Sequence, residues 1–180
     1  KYDLSTSDVD FKRIFSKCVT LKDITILKSG ANIGGHKELF LSERKENNLY
    51  HHCLKGSDNV RKYTIIYKKP LFLRYDHDLQ YKINAKAELN VGSEEKINLV
   101  KLGDGHLDRR YEKPKIIIRQ SADRFVCAYD EDEYYCLYGL FILNQLDPNI
   151  DLKYVLGLLN SQFYSYYGIC SGTIITGHKK

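Results

Sequence analysis

Apolar and polar positions change over in short runs along this chain, and one stretch recurs clearly at helical spacing. Leu152, Val155, Leu156, Leu159 and Phe163 share a helical face behind Asp151, whose carboxylate suits the free amides of a first turn. The pattern predicts a packed helix at about 151–167, closed by Tyr164, Tyr166 and Tyr167. Upstream, the β-branched run Lys115-Ile116-Ile117-Ile118-Arg119 and residues 124–129 flank Ser121-Ala122-Asp123, which predicts a β-hairpin at 115–129. Residues 134–143 predict the next strand. Toward the front, Asp8 or Asp10 would cap a short helix through Phe11, Ile14 and Phe15, residues 19–27 are β-rich, and Leu39-Phe40-Leu41 is a short strand. Between them, Gly30, Gly34 and Gly35 predict a tight loop with backbone at positive φ. Residues 63–73 predict two short strands hinged near Pro70, which has no N–H for a ladder. Residues 76–113 are polar and without period, and predict a long loop with a short helix. The sum is a mixed α/β (α+β) fold, one domain with a mainly antiparallel or mixed sheet.

Composition bounds the function class. The 180 residues are 43% hydrophobic and 28% charged, as in ordinary globular proteins. No apolar run approaches the ~18–20 residues of a membrane span. The five cysteines, with no Cys-x-x-Cys, argue against a disulfide framework and a zinc cluster and for reduced thiols in a cytoplasmic protein. Methionine is absent and the chain opens at Lys1, so the sequence reads as an internal piece of a longer protein. Charge is uneven: the net is +2 over residues 1–54, +6 over 55–120, −6 over 121–152 and +3 over 153–180. A basic middle suits an anionic partner met by one surface; the alternative is an unevenly charged, solvated surface.

Catalytic motifs are missing. The glycine loop matches neither G-x-G-x-x-G nor G-x-x-x-x-G-K-[ST], and G-x-S-x-G does not occur. His51-His52 lacks a glutamate-flanked helical partner, and Glu131, Asp132 and Glu133, being adjacent, cannot converge on one metal. The expectation is a chain with no catalytic residue, no metal and no cofactor of its own.

The order of several segments carries a resemblance. Thr20-Leu21-Lys22-Asp23-Ile24 followed by the glycine loop looks like an "L-x-D-I … G-x-x-x-G" element. Leu54-Lys55-Gly56-Ser57-Asp58-Asn59-Val60-Arg61-Lys62-Tyr63 looks like "K-G-x-D-I-x-x-Y", with Asn59 then Val60 in place of the aliphatic residue after the Asp. Lys113–Arg119, the 124–130 strand, residues 134–143 and the helix with Leu158-Leu159-Asn160-Ser161 follow in order. Together they resemble the C-terminal specificity, or target recognition, domain of Taq-type adenine DNA methyltransferases and the related fused restriction-modification enzymes. The resemblance spans most of residues 20–170. It implies residues 1–19 as a lead-in from a preceding domain and 20–180 as the DNA recognition domain. It also implies methyl transfer from S-adenosylmethionine by a separate catalytic domain with an Asn-Pro-Pro-Tyr-type motif, which is not in this chain, and possession of an endonuclease by some relatives. Double-stranded DNA and that catalytic domain are the implied partners.

Donor and acceptor side chains that could read base edges or hold phosphates are Asn32, His36 and Lys37 on the glycine loop, and Lys55, Arg61 and Lys62 on the second motif. Arg74, Arg109, Arg110, Thr176, His178 and Lys179 complete the candidates. Arg119 and Arg124 suit a structural or phosphate role, pairing with Asp123 or Asp130, and the 152–167 helix suits scaffold. The competing class is a protein-interaction or autonomous α/β module whose basic middle is incidental.

Overall fold

Ile116, Ile117 and Ile118 form an unbroken apolar run because the strand carrying them is buried on both faces. In the computed structural model, which describes residues 11–89, 98–104, 109–112 and 114–171, the elements follow in this order. The front half holds α1 (Phe11–Phe15), α2 (Leu21–Ile24), β1 (Thr25–Ser29), α3 (Lys37–Phe40), β2 (Leu41–Ser42), β3 (Tyr50–Leu54), α4 (Gly56–Asn59), β4 (Val60–Arg61), β5 (Thr64–Ile65), β6 (Phe72–Arg74) and α5 (His77–Leu89). The back half holds β7 (Lys115–Arg119), β8 (Cys127–Asp130), β9 (Tyr135–Cys136), β10 (Leu140–Gln145), α6 (Leu152–Leu159) and α7 (Gln162–Cys170).

One four-stranded antiparallel sheet runs β1-β10-β7-β8, and a second, mixed sheet runs β2-β6-β3-β9 with β3 and β9 parallel. Strand alternation divides the core. Ile116 and Ile118 join Cys127, Leu143 and the α6 residues Leu152, Val155, Leu156 and Leu159, while Ile117 points the other way, onto Leu54, Val60, Ala128 and Ile142. Each buried α6 side chain contributes roughly 1.5–3 kcal/mol relative to exposure, so this helix is scaffold. A third cluster (Ala31, Phe40, Cys53, Leu73, Val100, Leu102, Leu137) lies against the second sheet, with Leu79 and Ile83 of α5 beside it.

The mixed α/β class and the 115–129 hairpin are present as expected. Asp151 caps α6 through the Lys153 amide at 2.7 Å, but the helical segment expected at 151–167 is two helices. Asn160 closes the first, and Ser161 opens the second in extended backbone with its hydroxyl accepting from the Tyr164 amide at 3.1 Å. Three other local expectations change. The β-rich 19–27 stretch begins with the α2 turn, set by Thr20 and Asp23, whose carboxylate accepts the Thr20 amide at 3.3 Å. The 39–41 strand is mostly the α3 turn, with only Leu41–Ser42 paired to β6. The 134–143 strand divides into β9 and β10 at Gly139, whose φ of 101° turns the chain.

Lys115 and Asp130 face each other across the hairpin's open end, both 0% exposed and 2.5 Å apart. Lys115 Nζ also donates to the Tyr111 carbonyl at 2.8 Å, and the Asp130 carboxylate accepts the Asp132 and Tyr134 amides at 2.9 and 3.1 Å. The pair is thus hydrogen-bonded on both sides, as a buried ion pair must be. Among the described residues no helix is long and apolar enough to cross a membrane.

Candidate nucleic-acid interface

Two clefts gather four of the nine described candidates, Lys55 and Arg61 in one and Asn32 and Arg110 in the other. The first is a groove of about 570 Å³ lined by Lys55, Arg61, Lys68 and Lys69, with Glu43 and Asp58 as its acidic members. Its frame is built from two side chains. Buried Asn59 accepts the Lys55 amide at 2.6 Å and donates to the Ile66 carbonyl at 2.9 Å, while its own carbonyl takes the Ile66 amide at 2.7 Å. The Tyr67 hydroxyl donates to the Leu71 carbonyl at 2.5 Å and accepts the Leu71 amide at 2.9 Å, closing the Lys68-Lys69-Pro70 turn on itself. Asn59 therefore has a structural reason to stand where an aliphatic residue is usual: it fixes the spacing between Lys55 and the strand leading to Lys68. The Arg61 guanidinium curls over α4 and donates to the Ser57 carbonyl.

The second cleft, about 420 Å³, lies where the glycine loop is woven into the fold. Ala31 bridges Leu137 in parallel, and Asn32 bridges Lys101 antiparallel through amide–carbonyl bonds of 2.8 and 2.7 Å. Gly30 permits this approach, since a Cβ there would stand 2.3 Å from the Leu137 carbonyl oxygen. Positive φ falls on Gly34 and Gly35, and the Asn32 side chain accepts the Gly34 amide at 3.0 Å. Ser29, Gln80, Gly103, Asp104, Arg110 and Tyr138 complete the lining.

Asn32 and Lys37 are exposed, and His36 is half-buried at the start of α3, which Phe40 pins in the core. Exposed Arg109 donates to Glu112 at 2.7 Å, and that hydrogen bond holds the Glu112 carboxyl below the ordinary range. Three more candidates are buried or half-buried and spend their charge within the fold. Arg110 is 8% exposed and bonds the Ser29 carbonyl at 2.6 Å and Asp104 at 3.2 Å. Arg74 pairs with Asp76 at 2.6 Å. Lys62 donates to the Asn160 carbonyl at 2.7 Å, a cation at the carboxyl end of α6. Arg124 pairs with Asp123 at 2.9 Å, whereas Asp130 is taken by Lys115. Thr176, His178 and Lys179 lie outside the described residues.

Lys68, Lys69, Lys101, Gln80 and Tyr138 were not among the sequence candidates. The Lys68-Lys69 pair before Pro70 is visible as a basic turn, whereas Lys101 reaches Asn32, and Tyr138 reaches Ala31, only through pairing across long stretches of chain. Residues 51–171 match the family model of the TaqI-like C-terminal specificity domain, a span that includes the basic groove, the hairpin, α6 and α7. No curated protein matches the chain.

Proposed function

Because the chain belongs to the family of TaqI-like C-terminal specificity domains, we propose that it reads double-stranded DNA for a site-specific adenine methyltransferase of a restriction-modification system. The observation that carries this reading is the groove that brings Lys55, Arg61, Lys68 and Lys69 together on a frame fixed by Asn59 and Tyr67. Four cations on one rigid groove suit the regular spacing of phosphates, and phosphate contacts set position and register. Asn32, His36, Lys37 and Arg109 supply edge-reading chemistry on loops, each good bidentate pair giving ~1–3 kcal/mol of discrimination. Arg110 acts from beneath by holding the Ser29 carbonyl at the start of the glycine loop, while Lys62 and Arg74 brace Asn160 and Asp76.

Chemistry on the base belongs to a catalytic domain of the same protein or complex in the cytoplasm, with S-adenosylmethionine as methyl donor. The adenine amino group cannot be reached inside the stack, so the base is turned out into that domain while this one keeps hold of the duplex. An endonuclease fused to the same parent would use the same reading surface.

The test is binding of the chain to a pool of randomised duplexes across a salt series. The wild type should bind with affinity falling steeply as salt rises, and Lys55→Glu/Arg61→Glu should weaken binding by roughly tenfold or more. Salt-independent binding, or none to any duplex, overturns the reading in favour of an interaction module.

A further inference from the structure

Tyr138 is a large side chain, 63% exposed, on a backbone hydrogen-bonded at the residue and at both its neighbours. Its amide donates to the Ala31 carbonyl at 2.7 Å; the preceding Leu137 amide donates to Leu54 at 3.1 Å, and the Gly139 carbonyl accepts from Gln120 at 3.0 Å. Gly139, at φ 101°, then turns the chain into β10. A held backbone under an exposed ring suits a platform, because only the side-chain rotamer is left to order when a partner arrives.

The ring borders the cleft of about 420 Å³ that also holds Asn32, Gln80 and Lys101. This size lies within the range of small-molecule sites, roughly 300–1,000 Å³. The cleft's carboxylate does not make it anionic: Asp104 lies 2.9 Å from Lys28 and 3.2 Å from Arg110. What remains is an aromatic side chain beside a lysine and two carboxamides, whose oxygens accept the Gly34 and Leu102 amides and whose NH2 groups are left as donors. Such a set suits a flat heterocycle, met by its face and its acceptor edge at once.

We infer that this cleft takes one unstacked nucleobase, with the Tyr138 ring against its face and Asn32, Gln80 and Lys101 along its edge. The inference rests on the DNA reading and extends it: the chain holds a base that has lost its partner, in addition to reading paired ones. The basic groove bounded by Lys55 and Lys69 is a different cleft, so phosphate binding and base capture can fail separately.

The test compares two short duplexes, one fully paired and one in which 2-aminopurine faces an abasic site. Wild-type chain should bind the second about tenfold tighter and quench its fluorescence, as stacking of one base on an aromatic ring provides. Tyr138→Phe should keep both effects. Tyr138→Ala and Tyr138→Leu should lose both while binding the paired duplex as the wild type does and melting at the same temperature. Wild-type binding without preference, or a preference that survives in Tyr138→Ala, overturns the inference and leaves the DNA reading standing. Failure of the wild type to bind either duplex overturns both.

Discussion

Asn160 sits in the break between α6 and α7, and its amide does there what a neighbouring strand would do. Nδ2 donates to the Cys127 carbonyl at 2.9 Å, which also takes the Tyr63 amide at 2.8 Å, and Oδ1 accepts the Cys127 amide at 3.0 Å, so one side chain serves both backbone groups at the start of β8. Asn84 repeats the device on Val100, with both bonds at 2.9 Å, and Asn59 spreads it over Lys55 and Ile66. Buried backbone groups need partners, and where the strands run out a carboxamide carries the donor and the acceptor required. Removing Asn160 leaves the Cys127 amide orphaned in the core while the carbonyl keeps the Tyr63 amide, and an orphaned buried donor costs more than the net value of a bond. Asn160→Ala should therefore lower the unfolding free energy by roughly 1–3 kcal/mol, read as a fall in the urea midpoint at unchanged slope. Asn84, less deeply set, should cost less. An unchanged midpoint for Asn160→Ala would show that water replaces the amide and that the clamp does not hold α6 to the hairpin.

The elements legible in the sequence are those whose burial writes a period into it. The hairpin and α6 qualify, because Ile116, Ile118, Val155 and Leu159 must all meet in one cluster. The hairpin's turn at Ala122 also fixes the pairing of Lys115 with Asp130, a buried ion pair that counting outward from the turn would have found. α5 is the opposite case: thirteen residues with none fully buried, fastened by polar contacts such as Gln80 to the Leu102 amide at 2.8 Å and Asn84 to Val100. No hydrophobic period marks such a helix, so its stretch reads as a long loop with a short helix. The candidate site divides the same way. Lys55 and Arg61 stand in a readable motif, while Tyr138 and Lys101 reach the glycine loop only through tertiary pairing. The start of α5 also gives a pH test. Burial pushes the Asp76 carboxyl up, and the Leu79 amide at 2.9 Å and the Arg74 guanidinium more than reverse it, so it titrates below the ordinary carboxylate. A lowered folded pKa means that the contribution is whole above the unfolded value, near pH 4, and is lost as pH falls through the folded one. Arg74→Met should move the Asp76 titration upward and shift the onset of acid unfolding to higher pH, followed by NMR of the carboxyl and by circular dichroism. An unmoved titration would assign the lowering to the helix amides alone.

On the scale of the whole chain, the distribution of charge separates two jobs that a DNA-reading surface has to do. The +6 balance of residues 55–120 is not spread evenly. Arg74, Arg110 and Lys115 are turned inward onto Asp76, Asp104 and Asp130, so these cations hold the frame. Lys55, Arg61, Lys68 and Lys69 are exposed along the groove. Each groove cation that neutralises a phosphate releases a counterion, adding about −0.9 to the slope of log K against log salt. Lys68→Gln/Lys69→Gln should therefore make that slope shallower by about 2 and weaken all duplexes alike, leaving the order of preference among sequences unchanged. Asn32→Ala should do the reverse, changing which duplexes are preferred while the slope stays as in the wild type, because an uncharged edge contact displaces no counterion. Both variants are measured by titrating the same duplex set at four salt concentrations. A slope that Lys68→Gln/Lys69→Gln leaves untouched would place the phosphates on another face. A preference altered by that variant would merge the two jobs into one surface and remove the division between groove and glycine loop.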